Sequence, residues 1–339
     1  MTTRHFFVPP YVLEHVADSD VPAAHLARRT LLLDRGLRVA DRTPRIKRAE
    51  SGLHREISDA EHTETLPGTL VRKEGDPATG DAATDEAYDG LGAVYRYYSE
   101  VHGRDGLDGD GSPLLGTVHY GQDYANAFFD GERMVFGDGD GQIFLRLTLS
   151  LDVIGHELTH GVVDDEANFP YQGQSGALNE SCADVFGSMV KQYTRGQSAA
   201  EADWLIGDEI LAPGVNGRAL RDMANPGTAY DDPVLGKDPQ PAHMSDYVDT
   251  TEDNGGVHIN SGIPNKAFHD AAVALGGNAW ETVAPVWYAT MLDPELNQVP
   301  DFSSFAGVTV RIAAAQPDGD RVAAAVRAAW EGVGVALPQ

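Results

Sequence analysis

The sequence predicts an α+β protein of two lobes, β-rich to about residue 150 and mainly helical beyond it, preceded by a short N-terminal segment of about 60 residues. Three observations lead there. Between Leu66 and Leu149, short apolar runs such as LLGTVHY, ERMVFG and QIFLRLTL are separated by Gly-Asp clusters of the kind that make hairpin turns. After Ser150 the apolar residues recur every three or four positions, as in Leu151, Ile154, Leu158 and Val162 and again in Leu178, Cys182, Val185, Met189 and Tyr193. That spacing gives one core-facing helical stripe. The first 60 residues contain a basic run, RRTLLLDRGLRVADRTPRIKRAE, in a chain whose formal net charge is -27. A charge reversal of this kind marks a separate segment able to dock on an acidic body.

The units so drawn are residues 1–60, 61–150 and 151–339, with the polar stretch Asp59 to Thr65 as an exposed connection and candidate cleavage region. A helix is predicted in DEAYDGLGAVYRYYSEVHG, and four more in IPNKAFHDAAVALGG, WETVAPVWYATML, DFSSFAGVTVRIAAAQ and DRVAAAVRAAWEGVGV. The negative charge, with a pI near 4.6, argues against nucleic acid or an anionic membrane surface as partner, because both repel such a surface. The single cysteine, Cys182, cannot form an internal disulfide. No apolar stretch resembles a signal peptide and none of 18 residues could cross a bilayer.

The chemistry starts from HELTH, residues 156 to 160. Residues four apart on a helix lie one above the other, so His156 and His160 can place ring nitrogens on one ion while Glu157 sits beside it. A catalytic zinc needs three protein ligands and one open position. The next predicted helix offers NESCAD (179 to 184): Glu180 completes a His2Glu set, and Asp184 can accept the hydrogen bond of a ligand histidine and fix its tautomer. Asn179 is placed with Asp184 behind the ligands. HExxH alone also arises by chance, and a closed structural site would need a fourth ligand that nothing nearby nominates. His258, in DNGGVHINSG, can be oriented by Asp253, although a lone loop histidine is more often a surface residue, as His102, His119, His243 and His269 are read.

HELTH, NESCADVFG and DNGGVHINSGIPNKAF together resemble the thermolysin family of neutral metalloproteases, and LLGTVHYG, NAFFDGERMVFGDGDG and LRDMANP extend the resemblance from about Leu66 to the C-terminus. It implies a two-lobed zincin with one catalytic zinc, acting on protein or peptide substrates, with Glu157 as general base towards a zinc-activated water. It implies further that Asn126 and Ala127 hold the substrate backbone, that Arg221 binds a carbonyl on the leaving-group side, and that Tyr171 and His258 serve the oxyanion. The subsite after the scissile bond matches Phe144, Leu147, Val153, Ile206 and Leu220. All five are apolar, so cleavage on the amino side of bulky apolar residues is expected. A zinc aminopeptidase is the competing enzyme reading, and it lacks the G-x-M-E-N stretch such enzymes carry; an inert zinc-bearing scaffold is the non-enzyme reading.

Two departures from the family pattern stand out. Asp152, Asp203 and Asp208 match ligands of its double calcium site, but Lys191 and Leu205 stand where two carboxylates are expected, which leaves room for one Ca2+ at most. The N-terminal FFVPPYVLEHVA resembles the short propeptide of the protealysin-type subgroup, against the alternative of a mere polyproline arm. The resemblance therefore implies a zymogen whose propeptide is a partner in cis, a monomer, with a protein inhibitor as a further partner class. Secretion by a non-standard route is expected, with a cytoplasmic location left open by the absence of a leader.

Overall fold

A computed structural model describes residues 4–39, 52–167, 169–296 and 299–338. In chain order the N-terminal segment forms β1 (His5–Phe6), α1 (Pro10–Asp18) and α2 (Ala24–Val39), and the first lobe forms β2 (Arg55–Asp59), β3 (Thr69–Lys73), α3 (Ala82–His102), β4 (Leu114–Val118), β5 (Ala127–Phe129) and β6 (Arg133–Phe136). The second lobe contributes α4 (Leu151–Glu166), α5 (Gly173–Arg195), the short pair β7 (Leu205–Ile206) and β8 (Arg221–Asp222), α6 (Asp253–Asn260) and α7 (Gly262–Leu275). It ends in α8 (Ala279–Thr282), α9 (Ala284–Met291), α10 (Phe302–Ala314) and α11 (Gly319–Gly332). The predicted division into a sheet-rich lobe and a helical lobe holds.

Six strands form one sheet in the order β1-β5-β6-β4-β2-β3, so the N-terminal segment supplies an edge strand to the lobe it precedes. α3 lies across this sheet, started by the Asp81 carboxylate accepting from Thr84 N–H and stopped by left-handed Gly103. α4 and α5 are the most closely packed helices. A Cβ on Gly187 would lie 2.5 Å from the Asp152 carbonyl oxygen, and one on Gly155 would lie 3.0 Å from Gly187 Cα. Only glycine admits that approach, and it brings the HELTH face of α4 against the NESCAD face of α5.

Three expectations change, and the polyproline alternative falls. QIFLRLTL is not a strand, since Phe144 makes a single bridge to Leu211 and Leu147–Leu149 turn into a 3-10 helix. The Asp140 carboxylate captures the N–H groups of Gln142, Ile143 and Phe144 at 2.8, 2.6 and 3.1 Å, removing the donors a ladder needs. WETVAPVWYATML divides into α8 and α9, because Pro285 cannot donate into a continuing helix. Pro9 and Pro10 open α1 instead of extending a polyproline arm, as the missing N–H and fixed φ of proline favour at a helix start. Asp59 to Thr65 is exposed in part but pinned, through Ala60 N to Val118 O, His62 N to His119 O and Gly121 N to Thr63 O. A cut near residue 60 would also fall at the end of β2, which lies inside the sheet between β3 and β4. Residues 40–50 of the basic run lie outside the described residues.

Candidate active site

His156 and His160 project from α4 towards Glu180 on α5, and all three are buried. Their outer ring nitrogens are already committed: His156 Nδ1 to Asp184 Oδ1 and His160 Nδ1 to Asn179 Oδ1, both at 2.8 Å. The inner nitrogens then converge, Nε2 to Nε2 at 3.1 Å, with Glu180 oxygens 3.5 Å from each. Burial, then His5 and His156, push the His160 pKa well below its ordinary value, so its ring stays neutral with a lone pair inward. Two imidazole lone pairs and a carboxylate facing one point repel one another unless a cation lies between them. Nitrogen ligands at about 2.0–2.1 Å from a tetrahedral ion stand about 3.3 Å apart, close to the observed spacing. The donor set fits zinc.

Glu157 sits on the same turn, fully buried, with no hydrogen-bond partner on either carboxylate oxygen. Burial and then the Glu180 charge raise its pKa well above the usual carboxylate range. Tyr171 donates its hydroxyl to Glu180 Oε1 and lies 3.4 Å from His258 Nε2. His258 stands in α6, not in a plain loop: Asp253 to Gly256 all have positive φ, folding the Asp253 carboxylate back onto His258. Two glycines ease that run, and Asp253 then meets His258 N at 2.8 Å and Nδ1 at 2.6 Å. Against the opposing effect of burial, Asp253 and Glu180 hold the His258 pKa above its ordinary value. Arg221 Nε and Nη2 clasp Asp184 at 2.8 Å each, and Asn265 adds a third contact. Burial alone would raise the Asp184 pKa, but Arg221 and His156 hold it well below the carboxylate range.

The predicted substrate-holding groups are all in contact with the N-terminal segment. Phe7 N donates to Ala127 O at 3.1 Å, Val8 N to Asn126 Oδ1 at 2.8 Å, and Asn126 Nδ2 to Val8 O at 3.2 Å. His258 Nε2 reaches Phe6 O at 3.2 Å and Arg221 Nη1 reaches Phe7 O at 3.4 Å. β1 pairs antiparallel with β5, His5 opposite Phe129. The Phe7 ring packs edge-on to His156, beneath the Arg221 guanidinium, and a Cβ on Gly207, next to Ile206, would lie 3.2 Å from it; Phe144, Leu147, Val153, Ile206 and Leu220 are all buried. His5 stacks on His160 with ring centroids 4.2 Å apart.

Sequence reasoning set Phe6 and Phe7 in the propeptide-like stretch but gave neither a partner, and it missed His5, because a single histidine near a terminus carries no spacing signal. It missed Asp34 of α2 as well, which accepts from Tyr124 and, at 2.9 Å, from Asn126 Nδ2. Burial raises its pKa to about 7. The three candidate calcium carboxylates come together as expected, but around Lys191: its Nζ lies 3.0 Å from Asp152, 3.3 Å from Asp203, 2.7 Å from Asp208 and 3.2 Å from Leu205 O.

A buried His-His-carboxylate convergence with a glutamate on the adjoining residue, in a chain of one sheet-rich and one helical lobe, is the arrangement of a metallopeptidase. Residues 39–164 match the family model of the thermolysin metallopeptidase catalytic domain, and residues 167–335 that of its alpha-helical domain. The chain belongs to the thermolysin family of metallopeptidases, in its protealysin-type group, and is a metalloendopeptidase. It is 53% identical to an extracellular metalloprotease of Pectobacterium carotovorum subsp. carotovorum, over 98% of this chain and 96% of that protein. It is 48% identical to the protease PrtS of a Photorhabdus species, over 98% and 92%. The solved structure of the precursor of protealysin, a metalloproteinase from Serratia proteamaculans, superposes with a TM-score of 0.91 at 50% identity, covering 98% of this chain and 100% of that one.

Proposed function

We propose that the chain is the latent precursor of a zinc endopeptidase that cleaves on the amino side of bulky apolar residues, kept inactive by residues 5–8 lying in its own cleft. The carrying observation is that the groups expected to hold a substrate, Asn126, Ala127 and Arg221, together with the expected oxyanion donor His258, each contact Phe6, Phe7 or Val8. Phe7, whose ring meets His156 and Arg221 and lies beside Gly207, is our candidate for the position of a preferred side chain. Release then requires cleavage in the stretch 40–54 between α2 and β2, not at residue 60. The names of its relatives support action outside the cell.

His156, His160 and Glu180 would hold the zinc, with Asp184 and Asn179 fixing the tautomers of the two histidines. When bound, the ion supplies Lewis-acid polarisation of the scissile carbonyl and acidifies a water from a pKa of 15.7 towards about 7. Glu157, beside the ligand turn, would take a proton from the attacking water and pass it to the departing amine. Tyr171 and His258 donate to the developing oxyanion, the Asp253 carboxylate aiming the His258 ring. Arg221, braced by Asp184, donates to the carbonyl on the leaving-group side. Tyr171→Phe should lower kcat by about 10²-fold or more with the fold intact, read on the trimmed enzyme.

The test of latency is direct. Untrimmed chain should leave a peptide blocked at its N-terminus uncut, and trimmed chain should cut it before Leu or Phe. Full activity with no N-terminal trimming would overturn the reading, and cleavage only of unblocked peptides would favour the aminopeptidase.

Asp34 adds a pH dependence. Its docked pKa of about 7 lies above the ordinary 3.8, so docking favours the protonated acid. Docking is tightest below about pH 4, weakens as the pH climbs and levels off above about 7. Asp34→Asn should flatten this profile and slow trimming of a Glu157→Gln precursor by added active enzyme at pH 8. Unchanged trimming at pH 5 and pH 8 in both forms would remove Asp34 from the account.

A further inference from the structure

A second cluster of metal-ligand type lies on the first lobe, away from the HELTH site. We propose that His62, His119 and Asp138 form a site for a borderline divalent ion such as Zn2+, fastening the turn that follows β2 to the sheet. His119 Nδ1 lies 2.9 Å from Asp138 Oδ2, and His62 Nδ1 lies 3.3 Å from the same oxygen. One ligand atom from each residue falls within 4.8 Å of the other two. The residues come from three separate segments: the turn after β2, the end of β4 and the loop after β6.

Two further observations show construction. His62 and His119 both have positive φ, 59° and 54°, a conformation that costs non-glycine residues energy and persists where surrounding contacts enforce it. Their backbones are joined, His62 N donating to His119 O at 2.9 Å. His119 also offers Nε2 to Asp81 at 3.2 Å. A carboxylate behind a histidine whose other nitrogen faces a carboxylate oxygen is the arrangement that orients and strengthens a metal-binding imidazole.

The donor set selects the ion. Two imidazoles and one carboxylate suit Zn2+, Ni2+ or Cu2+, whereas Ca2+ wants six to eight oxygens. His62 is more than half exposed, so the remaining coordination positions face water. The same turn also meets the N-terminal segment. Glu64 pairs with Arg29 of α2 at 3.7 Å, and Leu33 and Leu37 of α2 pack against the cluster containing Ala60 and Tyr120. An ion here would stiffen the platform on which the N-terminal segment rests.

The experiment uses the full-length Glu157→Gln chain, which cannot digest itself, dialysed against micromolar Zn2+ and measured for metal content. Two equivalents per chain are expected, falling to one in Glu157→Gln/His62→Ala with an unchanged circular dichroism spectrum. His62 is exposed, so its loss leaves the core intact. Anomalous scattering at the zinc edge should place the second ion beside His119. One equivalent in the parent chain, or two retained after His62→Ala, would overturn the proposal, and neither result would bear on latency.

Discussion

Glu157→Gln is expected to lower kcat by about 10²–10⁴-fold, the range of a general base, while one zinc per chain stays bound at the HELTH site. Gln keeps the shape of the side chain and withdraws only its basicity. No side chain hydrogen-bonds either Glu157 oxygen, and the approach to the Phe129 backbone can be kept by the Gln carbonyl. The ligands His156, His160 and Glu180 are untouched, which separates this variant from one that loses the metal. The precursor should accumulate untrimmed if trimming is its own work. Activity above about a tenth of the parent, with full zinc, would show that another group takes the proton.

Lys191→Met should destabilise the fold by about 3–5 kcal/mol, the usual consequence of breaking a buried ion pair by removing one partner. Lys191 and Asp152 are both buried, and Asp203 and Asp208 complete the ring of charge. Burial would lower the Lys191 pKa, yet Asp152 and Asp208 raise it above the ordinary lysine value, so it stays charged. We read the ammonium as standing where the family places calcium. Lys191→Glu tests this more sharply: it should unfold readily in a calcium chelator and recover stability when Ca2+ is added. Thermal unfolding of the parent should ignore the chelator, and a chelator-sensitive parent would sink the reading.

The convergence of His156, His160 and Glu180 was legible in the sequence because helical spacing is short-range information. HELTH and NESCAD each put their groups one turn apart, and no tertiary knowledge is needed to see it. What could not be read were encounters across long separations. Phe7 meets Arg221 214 residues away, and Asp34 meets Asn126 92 residues away, with ordinary side chains at both ends. QIFLRLTL misled because its apolar pattern suits a strand while one nearby aspartate takes up its donors. Lys191 was visible as an anomaly only through the family resemblance, and its three partners gave that anomaly a physical meaning.

β1 has a second consequence, independent of catalysis. It covers the outer side of β5, which without it becomes the edge of the sheet. Once the N-terminal segment departs, the N–H and C=O groups of Ala127–Phe129 that it engages lose their partners, and an uncovered edge is a template for pairing with another chain. On the proposed latent reading, the segment would also guard against aggregation, and its removal would exchange a self-capped sheet for one protected chiefly by substrate and by mutual charge repulsion.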